Sequence, residues 1–292
     1  MDDKEIQALI SLLDDSDVKI FKLVEQSLME KGIEIINKLE SAWDNAPNEL
    51  SQERLENIIQ QIQFKDTLTY LKKWKKEDND NLLKGAFLIA KYQYPDLKFE
   101  DIDSQIEIFR KNAWMELNDN LTALEKVKIL NHIIFEIHKF TKNSSNFYSP
   151  ANSYINQVLE TKKGNPISLA ILYLSVAQKL HLPIYGVNLP KNFILAYKDE
   201  TIASDAFMDD FSDNVLFYIN PFNRGGVFGK REIDYFLKNQ KLDSKPSYYS
   251  PCSNIEIIRK LILTLIHSYD KLGYLDKIAD LKQLLSNIKY ND

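Results

Sequence analysis

The segment that decides the fold is GNPISLAILYLSVAQKL, residues 164–180. Asn165 carries a side-chain oxygen that suits a helix N-cap, and Pro166 suits the first helical position because its missing N–H is not needed there. The apolar residues that follow predict a long helix from about Pro166 to Leu180. Capping alone accounts for Asn165 and Pro166, so the pair does not by itself indicate a catalytic site.

Short β-prone runs follow this helix. They span residues 184–189, 193–197 and 215–219, bounded by proline, glycine and asparagine as strands often are. Elsewhere, long segments of leucine, isoleucine, lysine and glutamate with only 8 glycines and 9 prolines predict helices, two of them at 102–116 and 123–140. The sequence therefore predicts an α+β fold, mostly helical with a small antiparallel sheet.

Both ends of the chain are predicted to be helical. In residues 1–81, apolar residues recur at spacings of three and four, and the segment around Gly32 resembles a HEAT-type repeat. Residues 251–292 predict a helical hairpin that turns near Gly273. This hairpin is either a tetratricopeptide-like unit or an ordinary pair of helices packed on the preceding domain.

The composition argues against several classes of protein. The net charge of -5 lacks the basic excess that is typical of nucleic-acid binding. One cysteine, Cys252, rules out an internal disulfide and a cysteine-based zinc cluster. The opening residues MDDKE do not resemble a secretory signal, and no apolar run reaches the roughly 18 to 20 residues that span a bilayer. We expect a soluble, cytoplasmic protein with no nucleic-acid and no membrane partner.

Three blocks of sequence carry a resemblance to a known family. They are residues 152–169, residues 182–195 (LPIYGVNLPKNFIL) and residues 218–226 (YINPFNRGG), with further similarity at 88–97. In this order the blocks resemble the bacterial SirB family, a branch of the transglutaminase-like superfamily related to papain-type cysteine proteases. The resemblance covers about residues 82–250 and implies a transglutaminase-like central domain.

The same resemblance implies a catalytic triad that this chain lacks. In the family fold, a helix N-terminus presents a cysteine, and two neighbouring strands present a histidine and then an aspartate that orients it. Here residues 164–168 hold no cysteine, Asn192 stands at the histidine position and Asn220 at the aspartate position. The resemblance therefore implies a vestigial binding site at Asn165, Ser168, Asn192 and Asn220, with no catalytic residue.

Ser168 is the alternative nucleophile. It lies in the first helical turn, where the helix dipole favours an oxyanion, but a serine also needs an adjacent base. His132 or His138 would have to fold nearby, whereas His181 lies about 20 Å further along the helix at about 1.5 Å per residue. The alternative function is a hydrolase or acyltransferase with a non-standard site around Ser168.

The remaining candidate residues indicate no cofactor. His132 and Glu136 share a helix face, but no third metal ligand is visible. His267 is predicted to be partly buried, and Cys252 to be an inert thiol without an activating partner. The acidic segment Asp199 to Asp213 is predicted to be a solvated insertion, with calcium or a basic partner as alternatives. No phosphate loop or dinucleotide motif is present, so no cofactor and no metal are predicted.

These observations favour a catalytically inactive transglutaminase-like protein that binds a protein or peptide. The thiol, imidazole and carboxylate are missing together, while amides and a hydroxyl remain to hydrogen-bond a peptide group. Helical segments at both ends offer extended surfaces for such a partner. A purely structural subunit is the third hypothesis.

Overall fold

The computed structural model describes residues 3–199 and 214–288. It confirms the expected α+β fold, in which helices predominate and the strands form two small sheets. The chain forms two compact units, Met1–Lys72 and Lys73–Asp292. Within the described ranges, none of the helices combines the length and the apolarity that crossing a bilayer requires.

The first unit consists of helices joined by short turns. Its helices are α1 (Asp3–Ser11), α2 (Val18–Lys31), α3 (Ile36–Asp44) and the first part of α4 (Glu49–Glu77). Asp17 caps α2, because its carboxylate accepts a hydrogen bond from Lys19 N at 2.7 Å. The apolar faces of these helices meet in a core that includes Ile6, Leu13, Leu28, Leu39 and Ile58.

The second unit holds the remaining helices. They are α5 (Leu82–Gln93), α6 (Phe99–Glu116), α7 (Ala123–Asn131), α8 (Ile155–Thr161), α9 (Pro166–Lys179), α10 (Lys230–Asn239), α11 (Asn254–Leu272) and α12 (Leu275–Asn287). Trp74, near the end of α4, is 2% exposed, and its indole Nε1 donates to Asn81 O at 2.9 Å. The helices α11 and α12 form the predicted hairpin, which turns at Gly273.

The central helix of this unit is α9. Every residue from Ile167 to Ala177 is buried, as expected for a helix that is apolar on nearly all sides. It packs against α5, α6, α8 and α11. The start of α9 is therefore held by its neighbours as well as by its own cap.

The two sheets lie on either side of α9 in the sequence. The smaller is a parallel pair, β1 (Thr141–Lys142) and β2 (Lys163–Gly164). The larger is antiparallel, in the order β3 (Ile184–Val187), β4 (Ile194–Lys198), β5 (Val215–Asn220) and β6 (Gly226–Phe228). The predictions of β3, β4 and β5 are confirmed, whereas β6 and the parallel pair were not predicted.

One predicted helix ends differently. Apolar spacing predicts a continuous helix over 123–140, but α7 ends at Asn131 and the chain continues as a wider π-helical turn, His132–Ile137. In this turn His138 N donates to Ile133 O at 3.0 Å. Ile133, Ile134 and Phe135 are buried in this turn, and the spacing of these apolar residues does not distinguish it from an α-helix.

Candidate functional site

Reciprocal hydrogen bonds between Asn165 and Ser168 close the N-terminus of α9. Asn165 Oδ1 accepts from Ser168 N at 3.0 Å, and Ser168 Oγ accepts from Asn165 N at 3.0 Å. With Pro166 at the first helical position, this capping box satisfies amides that a helix start otherwise leaves free. The predicted capping role of Asn165 and Pro166 is confirmed.

Both capping side chains are buried. Ser168 is 1% exposed and Asn165 is 4% exposed. The Ser168 hydroxyl donates to Asn152 O at 2.6 Å, and Asn165 Nδ2 donates to Ser153 Oγ at 2.7 Å. The serine proton therefore already has a carbonyl acceptor, and no histidine of the described chain hydrogen-bonds Ser168.

A cleft of about 440 Å³ lies beside the start of α9. The segment before α8, the β3–β4 loop and α11 contribute to its lining, which comprises Phe147, Tyr148, Pro166, Ile167, Lys191, Asn192, Phe193, Lys260, Leu263, Thr264 and His267. Asn192 is half-buried, and its Oδ1 accepts from Phe193 N at 2.9 Å. Asn192 is thus brought to the start of α9, while Asn165 and Ser168 lie buried and do not line the cleft.

Asn220 lies at the end of β5 and caps a short turn. Its Oδ1 accepts from Asn223 N at 3.3 Å. The register of β4 and β5 pairs Ile219 with Leu195, so Asn220 lies at the end of β5 that is next to the start of β4. Asn192 and Asn220 therefore lie at the same end of these strands, but Asn220 is not among the residues that line the cleft.

The cleft is lined by two lysines and a histidine. Burial lowers the pKa of the Lys260 ammonium below its usual range. Lys191 Nζ donates to Gln240 Oε1 at 2.8 Å. His267, expected to be partly buried, is exposed instead, because its face of α11 borders the cleft; its ring centroid lies 5.6 Å from that of Tyr148. None of the described lining residues carries a carboxylate.

The other three histidines lie outside the cleft. His132 Nδ1 lies 2.9 Å from Glu136 Oε2, and this hydrogen bond keeps the pKa of Glu136 below its usual value. His138 Nε2 accepts from Asn112 Nδ2 at 3.0 Å, and burial lowers the pKa of His138. His181 follows the C-terminal end of α9. Within the described part of the chain, no three metal-ligating side chains come together.

Cys252 lies in the segment before α11. Its backbone N–H donates to Gly186 O at 2.8 Å, which joins the segment to β3. Burial, followed by the charge of Glu256, raises the pKa of the Cys252 thiol to about 12. Very little thiolate exists at neutral pH with such a pKa, in agreement with the expectation of an inert thiol.

Sequence reasoning missed the contribution of α11. Lys260, Thr264 and His267 are spaced four and three residues apart, so they share one face of this helix. That face borders the cleft. The spacing is visible in the sequence, but nothing local indicates that α11 meets the start of α9.

The acidic segment Asp199 to Asp213 lies almost wholly outside the described residues, which stop at Asp199 and resume at Asn214. Asp199 N donates to Asn214 O at 2.8 Å. These two residues follow β4 and precede β5, at the opposite end of the strands from Asn192.

Comparisons with known proteins match the part of the chain that contains the cleft. A family model described as the transglutaminase-like superfamily matches residues 100–263. A UPF0162 protein of Xylella fastidiosa is 34% identical over 52% of this chain and 50% of its own length. The UPF0162 protein YchA of Escherichia coli is 28% identical over 63% of this chain and 65% of its own length. F-box only protein 21 of Mus musculus is 28% identical over 55% of this chain and 28% of its own length.

The matched region contains the elements that build the site. It includes α9, the larger sheet and the first part of α11. The chain spans about half the length of the Xylella relative, and no solved structure matches it. Because the family model covers more than half of the 292 residues, the chain belongs to the transglutaminase-like superfamily.

Proposed function

We propose that this chain is a SirB-type member of the superfamily that has lost cysteine catalysis and binds a protein or peptide in the cleft. The proposal includes the division expected from the sequence: a HEAT-like helical region at 1–81, a transglutaminase-like domain at 82–250 and a tetratricopeptide-like hairpin at 251–292. In this proposal the chain binds its protein or peptide partner in the cytoplasm. This binding requires neither a metal nor a cofactor.

The chemistry at the start of α9 is the observation that carries the proposal. Cysteine catalysis needs a thiolate beside an imidazole. The positions that resemble the family's histidine and aspartate carry the amides of Asn192 and Asn220, which do not accept and return a proton near neutral pH. Ser168 is buried and donates its proton to Asn152 O. These contacts favour binding over a hydrolase or acyltransferase around Ser168.

The composition of the cleft also supports a binding role. Phe147, Tyr148 and Leu263 are large apolar or aromatic side chains that remain exposed at its walls. Asn192 and Thr264 add groups that hydrogen-bond. Ligand sites typically combine mostly apolar walls with a few polar groups in volumes of about 300 to 1,000 Å³.

A capture experiment with a blocked cleft tests the proposal. The tagged full-length chain and its Asn192→Trp variant, whose indole fills the cleft, are each used for affinity capture and mass spectrometry. We expect the unmodified chain to retain a reproducible partner that Asn192→Trp loses. Asn188→Trp is the matched control, because Asn188 is exposed in the same β3–β4 loop and does not line the cleft.

Two results would contradict the proposal. The first is that Asn192→Trp captures the same proteins as the unmodified chain, or that Asn188→Trp loses them equally. The second is covalent labelling of the native chain by a fluorophosphonate probe that Ser168→Ala abolishes, since such labelling requires an activated serine.

A further inference from the structure

The charge of the cleft is opposite to that of the chain. Two ammonium groups and an imidazole line it, those of Lys191, Lys260 and His267, and no carboxylate does so among the described residues. The whole chain has a net charge of -5. A basic, partly enclosed cleft on an acidic protein favours an anionic ligand.

Lys260 is the cation of the cleft that lacks an internal partner. It is half-buried, and no described residue accepts a hydrogen bond from its ammonium. Glu256, one turn earlier on α11, instead accepts from the backbone N–H of Ser253 at 2.7 Å and from its hydroxyl at 3.2 Å. Burial lowers the pKa of Lys260, because an ammonium removed from water without a counter-charge is destabilised.

Lys191 differs from Lys260 in this respect. Its ammonium donates to Gln240 Oε1 at 2.8 Å, so one of its three donors already has a protein acceptor. A bound anion therefore gains most from Lys260, which would acquire a counter-charge that none of the described residues supplies.

The walls around Lys260 are apolar and aromatic. Leu263 and Tyr148 are each 47% exposed, and Tyr148 packs edge-on against Phe147 with ring centroids 5.3 Å apart. Thr264 Oγ1 donates to Lys260 O at 2.8 Å, so the hydroxyl can still accept from an N–H of a ligand. These contacts suit an anionic group that lies next to an apolar side chain and an amide N–H.

We propose that the cleft binds the carboxylate of a peptide ligand through the Lys260 ammonium, with the apolar side chain of the same residue packed against Tyr148 and Leu263. This inference rests on the proposed peptide-binding function and adds the group that is recognised. A carboxylate suits the site better than a dianionic phosphate, because a single ammonium of the cleft lacks an acceptor among the described residues.

A matched pair of small probes tests the role of the charge. N-acetyl-L-phenylalanine and its uncharged amide, N-acetyl-L-phenylalaninamide, are titrated into the full chain labelled with ¹³C at isoleucine and leucine methyl groups. NMR follows the methyl shifts of Ile167 and Leu263, which line the cleft. We expect saturable shifts at both residues and a Kd for the acid about fivefold or more below that for the amide, which corresponds to roughly 1 kcal/mol.

Variants of Lys260 assign the effect to its ammonium. In Lys260→Met, we expect the Kd of the acid to rise about fivefold, to the value of the amide, while the Kd of the amide changes less than about twofold. Lys260→Arg should retain the preference for the acid. Lys271→Met is the matched control, since Lys271 is exposed on α11 and does not line the cleft. If Lys260→Met does not fold, the Kd values of the acid and the amide for the unmodified chain still test the proposal.

Several results would overturn the inference. They are equal affinity for acid and amide, no saturable shift at Ile167 and Leu263, or tighter binding of phenyl phosphate than of N-acetyl-L-phenylalanine. Equal affinity at the cleft would leave the peptide-binding function intact and remove only the recognition of charge. The capture experiment with Asn192→Trp tests the peptide-binding function separately.

Discussion

At the scale of single residues, the hydroxyl of Ser168 both accepts and donates a hydrogen bond. The oxygen accepts from Asn165 N, and the proton goes to Asn152 O. Without the hydroxyl, Asn165 N and Asn152 O would keep only the long hydrogen bond between them, at 3.4 Å. A buried group whose hydrogen bonding is left incomplete costs more than a typical hydrogen bond contributes. The serine that looks like a nucleophile in the sequence is therefore part of the anchor of α9.

Ser168→Ala should lower the free energy of unfolding by about 1 to 3 kcal/mol, because it leaves buried backbone groups of Asn165 and Asn152 without the hydroxyl. Urea unfolding measures this change. The matched control is Ser175→Ala, also in α9 and 2% exposed, whose hydroxyl donates to Ile171 O at 2.8 Å. That carbonyl keeps its helical partner, so we expect a loss below about 1 kcal/mol. Equal losses in the two variants would contradict the anchoring role.

Cys252 should resist alkylation in the folded chain. Because its pKa is raised to about 12, the reactive thiolate is rare at pH 8. We expect iodoacetamide to modify native Cys252 at least about 100-fold more slowly than the urea-unfolded chain. Mass spectrometry of timed samples gives both rates, and similar rates would show that the thiol is accessible and ionised.

At the scale of elements, the π-helical turn after α7 determines the surroundings of His138. The ring of His138 lies 4.3 Å from that of Phe109 on α6, and its Nε2 accepts from Asn112. Burial, followed by the charge of Lys162, lowers its pKa below 6.5. As the pH falls below this value, the unfolded chain takes up the proton before the folded chain does.

His138 should therefore contribute stability above about pH 6.5 that is lost as the pH falls through its folded-state pKa. We expect the free energy of unfolding of His138→Gln to depend less on pH between 7 and 5 than that of the unmodified chain. His132→Gln is the control, because His132 is exposed. Urea unfolding at a series of pH values measures these slopes. An unchanged slope in His138→Gln would contradict the role of this histidine.

Local signals predict single elements better than they predict contacts between elements. The cap at Asn165 and Pro166 depends on residues within one turn, and it was predicted correctly. The three residues of β6 form a strand only by pairing with β5, and their own sequence is too short to indicate this. The sequence around Lys260 likewise gives no sign of the cleft, because the place of Lys260 there depends on how α11 packs. The resemblance predicts Asn220 in the same site as Asn192, but Asn220 does not line the cleft.

At the scale of the whole molecule, α11 belongs to the same compact unit as α9. It packs against α5, α9 and α12, and its buried apolar side chains include Ile257, Ile258, Leu261, Ile262 and Leu265. Burying each such side chain contributes about 1.5 to 3 kcal/mol. Their sum is comparable with the roughly 5 to 15 kcal/mol by which a typical domain is stable.

A fragment of residues 73–250 should therefore not fold cooperatively, whereas residues 73–292 should. Thermal unfolding followed by near-ultraviolet circular dichroism compares the two fragments. A cooperative transition of 73–250 at the temperature of 73–292 would show that the central domain is independent of the C-terminal hairpin.

The environment of Trp74 has a practical consequence. The chain has three tryptophans, of which Trp74 is 2% exposed, Trp43 36% and Trp114 64%. An indole that leaves an apolar interior for water emits at longer wavelength. With Trp43 and Trp114 replaced by phenylalanine, the emission wavelength of Trp74 would report the unfolding of the unit at 73–292 without an attached dye.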